Sequence, residues 1–182
     1  MVTLAGLMLP VLRYAKVFLR LGRRPPVDLR EGSVIEFRVW PNDLDLNGHL
    51  TNSRYFALMD AARYDMVIRS GTWEVWRLNG WAPVVASQRI RFRRSLRPWA
   101  RYAIRTRTLG WDERNLYIQH TFERGGVVHA EATIRAAILG RDRKPVSLPE
   151  LMKASGWTEG VPELPERIKK WIEVELADFP DS

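Results

Sequence analysis

Asp45-Leu46-Asn47-Gly48-His49-Leu50-Thr51-Asn52 is the stretch on which the fold is decided, because it sets an acid, an amide and an imidazole within five positions of one another. It lies between a strand-like and a helix-like segment, both strongly hydrophobic. Asp, Asn and Gly all favour turns, so the same residues suit an Asx-rich turn that simply leads into a helix cap. The other reading is a site in which a helix start and a few polar side chains act on one substrate atom.

Upstream, Ser33 to Trp40 alternates. Val34, Glu36, Arg38 and Trp40 fall on one face, and Ile35, Phe37 and Val39 on the other, the pattern of a half-buried strand that Pro41-Asn42-Asp43 stops. Downstream, Tyr55, Phe56, Met59, Ala62, Met66 and Val67 recur at helical spacing, so Ser53 to Ser70 reads as a helix of about five turns. Asn52 or Ser53 is placed to cap it, and Gly71 ends it. Trp73 to Pro83 reads as a short helix and a turn.

From Val84 the period becomes two. Strands are expected over Gln88–Arg94, Arg101–Thr108, Leu116–Glu123 and Val127–Leu139, with Gly125-Gly126 as a hairpin turn. The last strand sets Ala130, Ala132 and Ala136 on one face, small enough for the helix to press close. The fold class is therefore α+β, with one long helix wrapped by a largely antiparallel sheet. The free sheet edge favours dimerisation.

The chain of 182 residues is 46% hydrophobic, enough for one core. It has no cysteine, which excludes disulfides, thiol nucleophiles and thiolate metal sites. The net charge is +8, carried mostly by arginine, whose planar fork suits phosphate. Nucleic acid, an anionic membrane and a phosphate-bearing small molecule are the partners this charge fits. Residues 1–31 read as an apolar and basic segment plus linker. Arg13, Lys16 and Arg20 share one helix face, as in a helix lying in a membrane interface or docked on protein, and Arg23-Arg24-Pro25-Pro26 is the linker. The uncharged run is shorter than the roughly 20 residues that cross a bilayer. The core domain is expected over 32–144 and a helical extension over 145–182.

Asp43-Leu44-Asp45-Leu46-Asn47-Gly48-His49-Leu50-Thr51-Asn52-Ser53-Arg54-Tyr55 resembles the active-site segment of hot-dog-fold thioesterases. It is similar to the 4-hydroxybenzoyl-CoA thioesterase-like group and to the plant acyl-ACP thioesterases, over roughly Ser33 to Leu139. A membrane-associated, thioesterase-like animal family has a comparable apolar N-terminus. The resemblance implies the hot-dog fold, a homodimer or homotetramer with sites at the subunit interface, and hydrolysis of acyl-CoA or acyl-ACP. It puts Asp45 at the catalytic carboxylate and Asn47 and His49 at the amide and imidazole of the acyl-ACP enzymes. Thr51 departs from the Asn that related sequences carry there. The cysteine discussed for the plant enzymes is absent, and there is room for one hot-dog unit rather than two.

The chemistry suits those residues. Asp45 is able to act as general base or as nucleophile. The helix start, at Asn52 and Ser53, offers unpaired N–H groups and a partial positive charge to a thioester oxygen. Asn47 would orient water or the carbonyl, and His49 would share the base role or hold the loop. Tyr55, Phe56, Met59 and some tryptophans are expected to line the acyl pocket. Arg91 and Arg93, with Arg89 and Arg94, face either substrate phosphates or solvent. Asp60 is a second acid or a structural partner for Arg63 or a sheet arginine. His120 reads as a core histidine and His129 as lying on a polar face. The histidines have no ligand spacing, so neither metal nor cofactor is expected. Fatty acid metabolism in the cytoplasm, with membrane contact through the N-terminal segment, completes the expectation. The alternatives are a non-catalytic acyl-thioester or lipid-binding protein and, less favoured, a basic membrane-surface or nucleic-acid adaptor.

Overall fold

The computed structural model describes residues 24–179, and the apolar, basic segment ahead of them lies outside that range. Five strands form one antiparallel sheet: β1 Ser33–Arg38, β2 Ala82–Phe92, β3 Arg101–Trp111, β4 Asn115–Arg124 and β5 Val127–Leu139. Their order is β1-β3-β4-β5-β2. The chain leaves β1 at one edge, runs through helices α1 (Asn52–Arg69) and α2 (Thr72–Asn79), and returns as β2 at the other. Consequently β2 and β3 are not neighbours, although they follow one another in sequence.

The inward face follows the period-two reading. Ile35 of β1, Val39 just after it, Tyr102 and Ile104 of β3, Leu116, Ile118 and Phe122 of β4, and Ala130, Ala132, Ile134, Ala136 and Ile138 of β5 are all buried. α1 adds Tyr55, Leu58, Met59, Ala62 and Val67 to the same core. Complete burial of a side chain of this size contributes about 1.5–3 kcal/mol, which makes this stripe the main source of stability. An aromatic row crosses the sheet beneath the start of α1: Phe37, Tyr102, Phe122, Tyr55 and Phe92 have successive centroids 4.8–6.1 Å apart. Gly125 and Gly126 both take positive φ, 56° and 75°, and close the β4–β5 hairpin as a primed turn requires.

Four expectations need correction. The residue at the helix N-cap is Thr51, not Asn52 or Ser53, and no side chain caps the helix. The alanines of β5 do not draw the helix in. α1 lies closest to β1 and β3, and the space left over β5 and β2 is a cavity. The segment at Arg24-Pro25 is not a free linker. Arg24 and Arg69 both pair with the fully buried Asp65 on α1, and Pro25 carbonyl accepts from Arg69 Nε at 2.9 Å. Finally, the C-terminal extension is not separate from the core. α3 (Leu148–Ala154) puts Leu148, Leu151 and Met152 into the main core, where Trp157 meets Trp111 edge-on. α4 (Glu166–Asp178) covers the outer sheet face, packing Ile168, Trp171 and Ile172 on Leu109 and Tyr117.

Candidate active site

The loop between β1 and α1 is a small closed structure. Leu44 and Leu50 form an antiparallel bridge, Asp45 N–H donates to His49 carbonyl at 2.8 Å, and Gly48 N–H donates to Asp45 carbonyl at 3.1 Å. Gly48 has φ 71°, the left-handed conformation that glycine adopts without a Cβ penalty. Asp45 Oδ1 accepts the backbone N–H groups of Asn47 (2.9 Å) and His49 (3.1 Å). These bonds, chiefly that from His49, hold the Asp45 carboxyl below its usual pKa against a small opposing effect of burial. The His49 ring and the Asn47 amide push the same way. The three residues are therefore gathered around one ionised, solvent-exposed carboxylate. The Asx-turn reading and the site reading describe the same loop, since the turn is what presents the acid.

The acid that the sequence reading passed over is Asp43. It is buried at 1% exposure, accepts Trp40 N–H on Oδ2 at 2.8 Å, and lies 3.7 Å from Arg54 Nε on the first turn of α1. Its carbonyl takes Thr51 N–H at 2.8 Å. Asp43 thus ties strand end, loop and helix start into one unit. The signal available was its spacing: an acid immediately before the loop and an arginine one turn into the helix. No side chain caps α1; Arg54 N–H donates to Thr51 carbonyl at 2.9 Å, so the N–H groups the first turn offers are those of the exposed Asn52 and Ser53.

The cavity lies further along α1 and has a volume of about 330 Å³. α1 and α2 contribute Asp60, Arg63, Tyr64, Val67, Trp73 and Trp76 to its walls. The sheet contributes Pro83 and Val85 of β2, Leu116 and Ile118 of β4, and Ala136 and Ile138 of β5. The expected tryptophans are present, but Tyr55, Phe56 and Met59 are not among the walls. Tyr55 and Met59 are core side chains near the helix start, and Phe56 packs partly buried against that core. Helical spacing gives the buried stripe but not which part of it borders empty space.

Asp60 is ion-paired with Arg63, and burial raises its carboxyl above the usual pKa against the pull of Arg63. Arg63 Nη1 lies 3.4 Å from His120 Nε2, and His120 Nδ1 lies 3.0 Å from Thr106 Oγ1. Burial, with Arg63 adding to it, holds His120 well below the usual histidine pKa, so it is the neutral core residue expected. His129 is buried rather than on a polar face, 3.2 Å from Ser95 carbonyl. Arg93 is engaged by Glu131 at 2.7 Å, while Arg91 is exposed on β2.

The β1–α1 turn thus sets an exposed acid ahead of a helix start that has no side-chain cap, with a cavity further along that helix. The chain belongs to the thioesterase-like superfamily, whose family model matches residues 39–172. It is 34% identical over 164 residues to Protein THEM6 of Xenopus laevis, covering 88% of this chain and 77% of that one. It is 28% identical over 159 residues to Thioesterase lcsJ of Purpureocillium lilacinum, covering 74% of this chain and 52% of that one. Among solved structures, the probable thioesterase YbaW from Escherichia coli superposes with a TM-score of 0.64 at 22% identity, covering 66% of this chain and 94% of that one. That likeness fixes the hot-dog fold. The family match crosses residue 144, in keeping with the shared core.

Proposed function

We propose that this enzyme hydrolyses acyl thioesters of coenzyme A or acyl carrier protein, with Asp45 as the reacting carboxylate. The observation that carries the reading is the Asp45 turn: backbone N–H groups keep the acid ionised and exposed at the start of an uncapped 18-residue helix. The thioester carbonyl oxygen would sit against the first-turn N–H groups, which favour developing negative charge. Asp45 would then either take a proton from the water that attacks the carbonyl, or attack it directly, expelling the thiolate and forming a mixed anhydride that water hydrolyses. The thiol departs with a proton, and the acyl group leaves as a carboxylate. Asn47 and His49 steady the acid through their backbone N–H groups, and the His49 side chain would share the base role. The acyl group would run along α1 toward the cavity, whose volume is at the lower end of those that hold small ligands.

A second copy of the chain is the expected partner. Among the described residues β2 pairs with β5 alone, and it exposes Val84, Val85 and Phe92. An unpaired edge of this length and apolarity is a template for another strand. Pairing β2 with β2 of a second copy would cover that edge and complete the surroundings of Asp45. Among the described residues no helix is long and apolar enough to cross a membrane, so the proposed membrane contact rests on the N-terminal segment alone.

The test is a hydrolysis screen over acyl-CoA and acyl-ACP substrates, following free thiol with a chromogenic reagent. The protein has no cysteine, so it adds no background to that assay. Turnover of at least one chain class supports the proposal. Binding of acyl-CoA without turnover of any substrate would favour the non-catalytic acyl-thioester carrier instead.

A further inference from the structure

The cavity along α1 is lined mainly by apolar and aromatic side chains, and Asp60 and Arg63, which are ion-paired, are its charged residues. That pair is held from behind. His120 is fully buried and neutral, and its Nε2 faces Arg63, a donor. Nε2 therefore accepts, the ring proton sits on Nδ1, and Nδ1–H donates to Thr106 Oγ1. The chain Thr106–His120–Arg63–Asp60 fixes a guanidinium and a carboxylate at an otherwise greasy surface. The Asp60 side chain is half exposed, at 49%. An unsubstituted alkyl chain filling the cavity would strip water from that pair and return no hydrogen bond, which is costly for charged groups.

A hydroxyl repairs this loss. It donates to the Asp60 carboxylate and accepts from the Arg63 guanidinium at the same time. A carboxylate at that place would meet Asp60, and an ammonium would meet Arg63, so each charged tip has a like charge beside it. Position follows from the helix. Asp60 is eight residues beyond Asn52, about 12 Å along the axis at 1.5 Å per residue. With the thioester at the helix start, an extended chain with C–C bonds of about 1.5 Å reaches that point at roughly its eighth to tenth carbon.

We infer that the acyl group this enzyme selects carries a hydroxyl near its far end, about eight to ten carbons from the thioester, with Asp60 and Arg63 as the specificity-determining pair. This rests on the thioesterase reading above, with the thioester at the start of α1. The experiment compares kcat/KM for 10-hydroxydecanoyl-CoA and decanoyl-CoA. Wild-type protein is expected to prefer the hydroxylated substrate by about tenfold or more, as sites built to bond a substrate hydroxyl do. The double variant Asp60→Leu/Arg63→Met replaces the ion pair by apolar groups of similar size, a change proteins often tolerate. It is expected to lose the preference while still hydrolysing decanoyl-CoA. Equal rates on both substrates in wild type, or a preference that survives in the double variant, would overturn the inference. If neither substrate is turned over, their non-hydrolysable thioether analogues are compared by calorimetry. Tighter binding of the hydroxylated analogue then sustains the specificity pair and removes only the thioesterase reading, whereas equal affinity overturns the pair itself.

Discussion

Replacing Asp43 by alanine is expected to loosen the active-site loop and lower stability together. The side chain is buried, accepts the Trp40 N–H at 2.8 Å and lies 3.7 Å from the Arg54 guanidinium. Losing a charge-assisted hydrogen bond in a buried place costs about 1.5–3 kcal/mol. The Arg54 side chain is 27% exposed, so its ion pair adds at most about 1 kcal/mol. The sum is about 2–4 kcal/mol, which corresponds to a fall in Tm of roughly 5–15 °C for a chain of this size. The bond from Thr51 N–H to the Asp43 carbonyl uses backbone and survives, so the loop shifts rather than unfolds. A shift of about 1 Å in the Asp45 carboxylate would reduce kcat/KM by on the order of 10²-fold. Asp43→Asn keeps an acceptor for Trp40 but loses the charge, and should fall between alanine and wild type. The assays are thermal unfolding and thiol release on the best acyl-CoA from the substrate screen. An Asp43→Ala protein that melts within about 2 °C of wild type, with undiminished kcat/KM, would refute the reasoning.

Three further outcomes follow from the same structure. His120 has a depressed pKa in the folded protein, so its contribution to stability is present above the ordinary histidine value of 6.5 and is lost as pH falls below it. Unfolding free energy should decline there by about 1.4 kcal/mol per pH unit from this residue, and His120→Gln should flatten denaturant midpoints measured between those pH values. Asp65 is fully buried between Arg24 and Arg69, so Asp65→Ala leaves the Arg69 side chain, 7% exposed, without its counter-charge. A loss of about 3–5 kcal/mol is expected in chemical denaturation, and a loss below about 1 kcal/mol would count against the Arg24 strap. At Gly110, a Cβ would lie 2.9 Å from both Leu164 Cδ2 and the Pro162 carbonyl, so Gly110→Ala should lift the approach to α4 and raise protease cleavage after residue 160.

The strands and the central helix were legible because their signal is local. Period two placed Ile104, Ile118 and Ile134 on the inner face, and helical spacing placed Tyr55 and Met59 in the same core. The loop from Asp45 to His49 was legible as a cluster because turn-forming residues and chemically active ones coincide there. What escaped the sequence was set by tertiary placement. That Asp43 is the buried acid depends on Arg54 reaching back to it from the next element. That the tryptophans bordering the cavity are Trp73 and Trp76, while Tyr55 and Met59 are core, depends on α1 leaning toward β1 and β3 and leaving space over β5. The Arg24 strap pairs residues 41 positions apart, which no local pattern records. β2 looked shorter than it is because Pro83 and Ala86 interrupt the alternation, yet pairing to β5 carries it from Ala82 to Phe92.

The most direct measurement is hydrolysis by Asp45→Asn across pH, beside wild type. Asparagine keeps an oxygen to accept the Asn47 and His49 N–H groups, so the turn and the Tm should be preserved while the carboxylate is gone. In Asp45→Asn, kcat is expected to fall by at least about 10²-fold, the scale of a positioned base. The acid limb of the wild-type profile is expected to lie below the ordinary aspartate value of 3.8, because the lowered pKa keeps the base ionised there. A folded Asp45→Asn protein that hydrolyses acyl thioesters at the wild-type rate would contradict Asp45 as the reacting carboxylate.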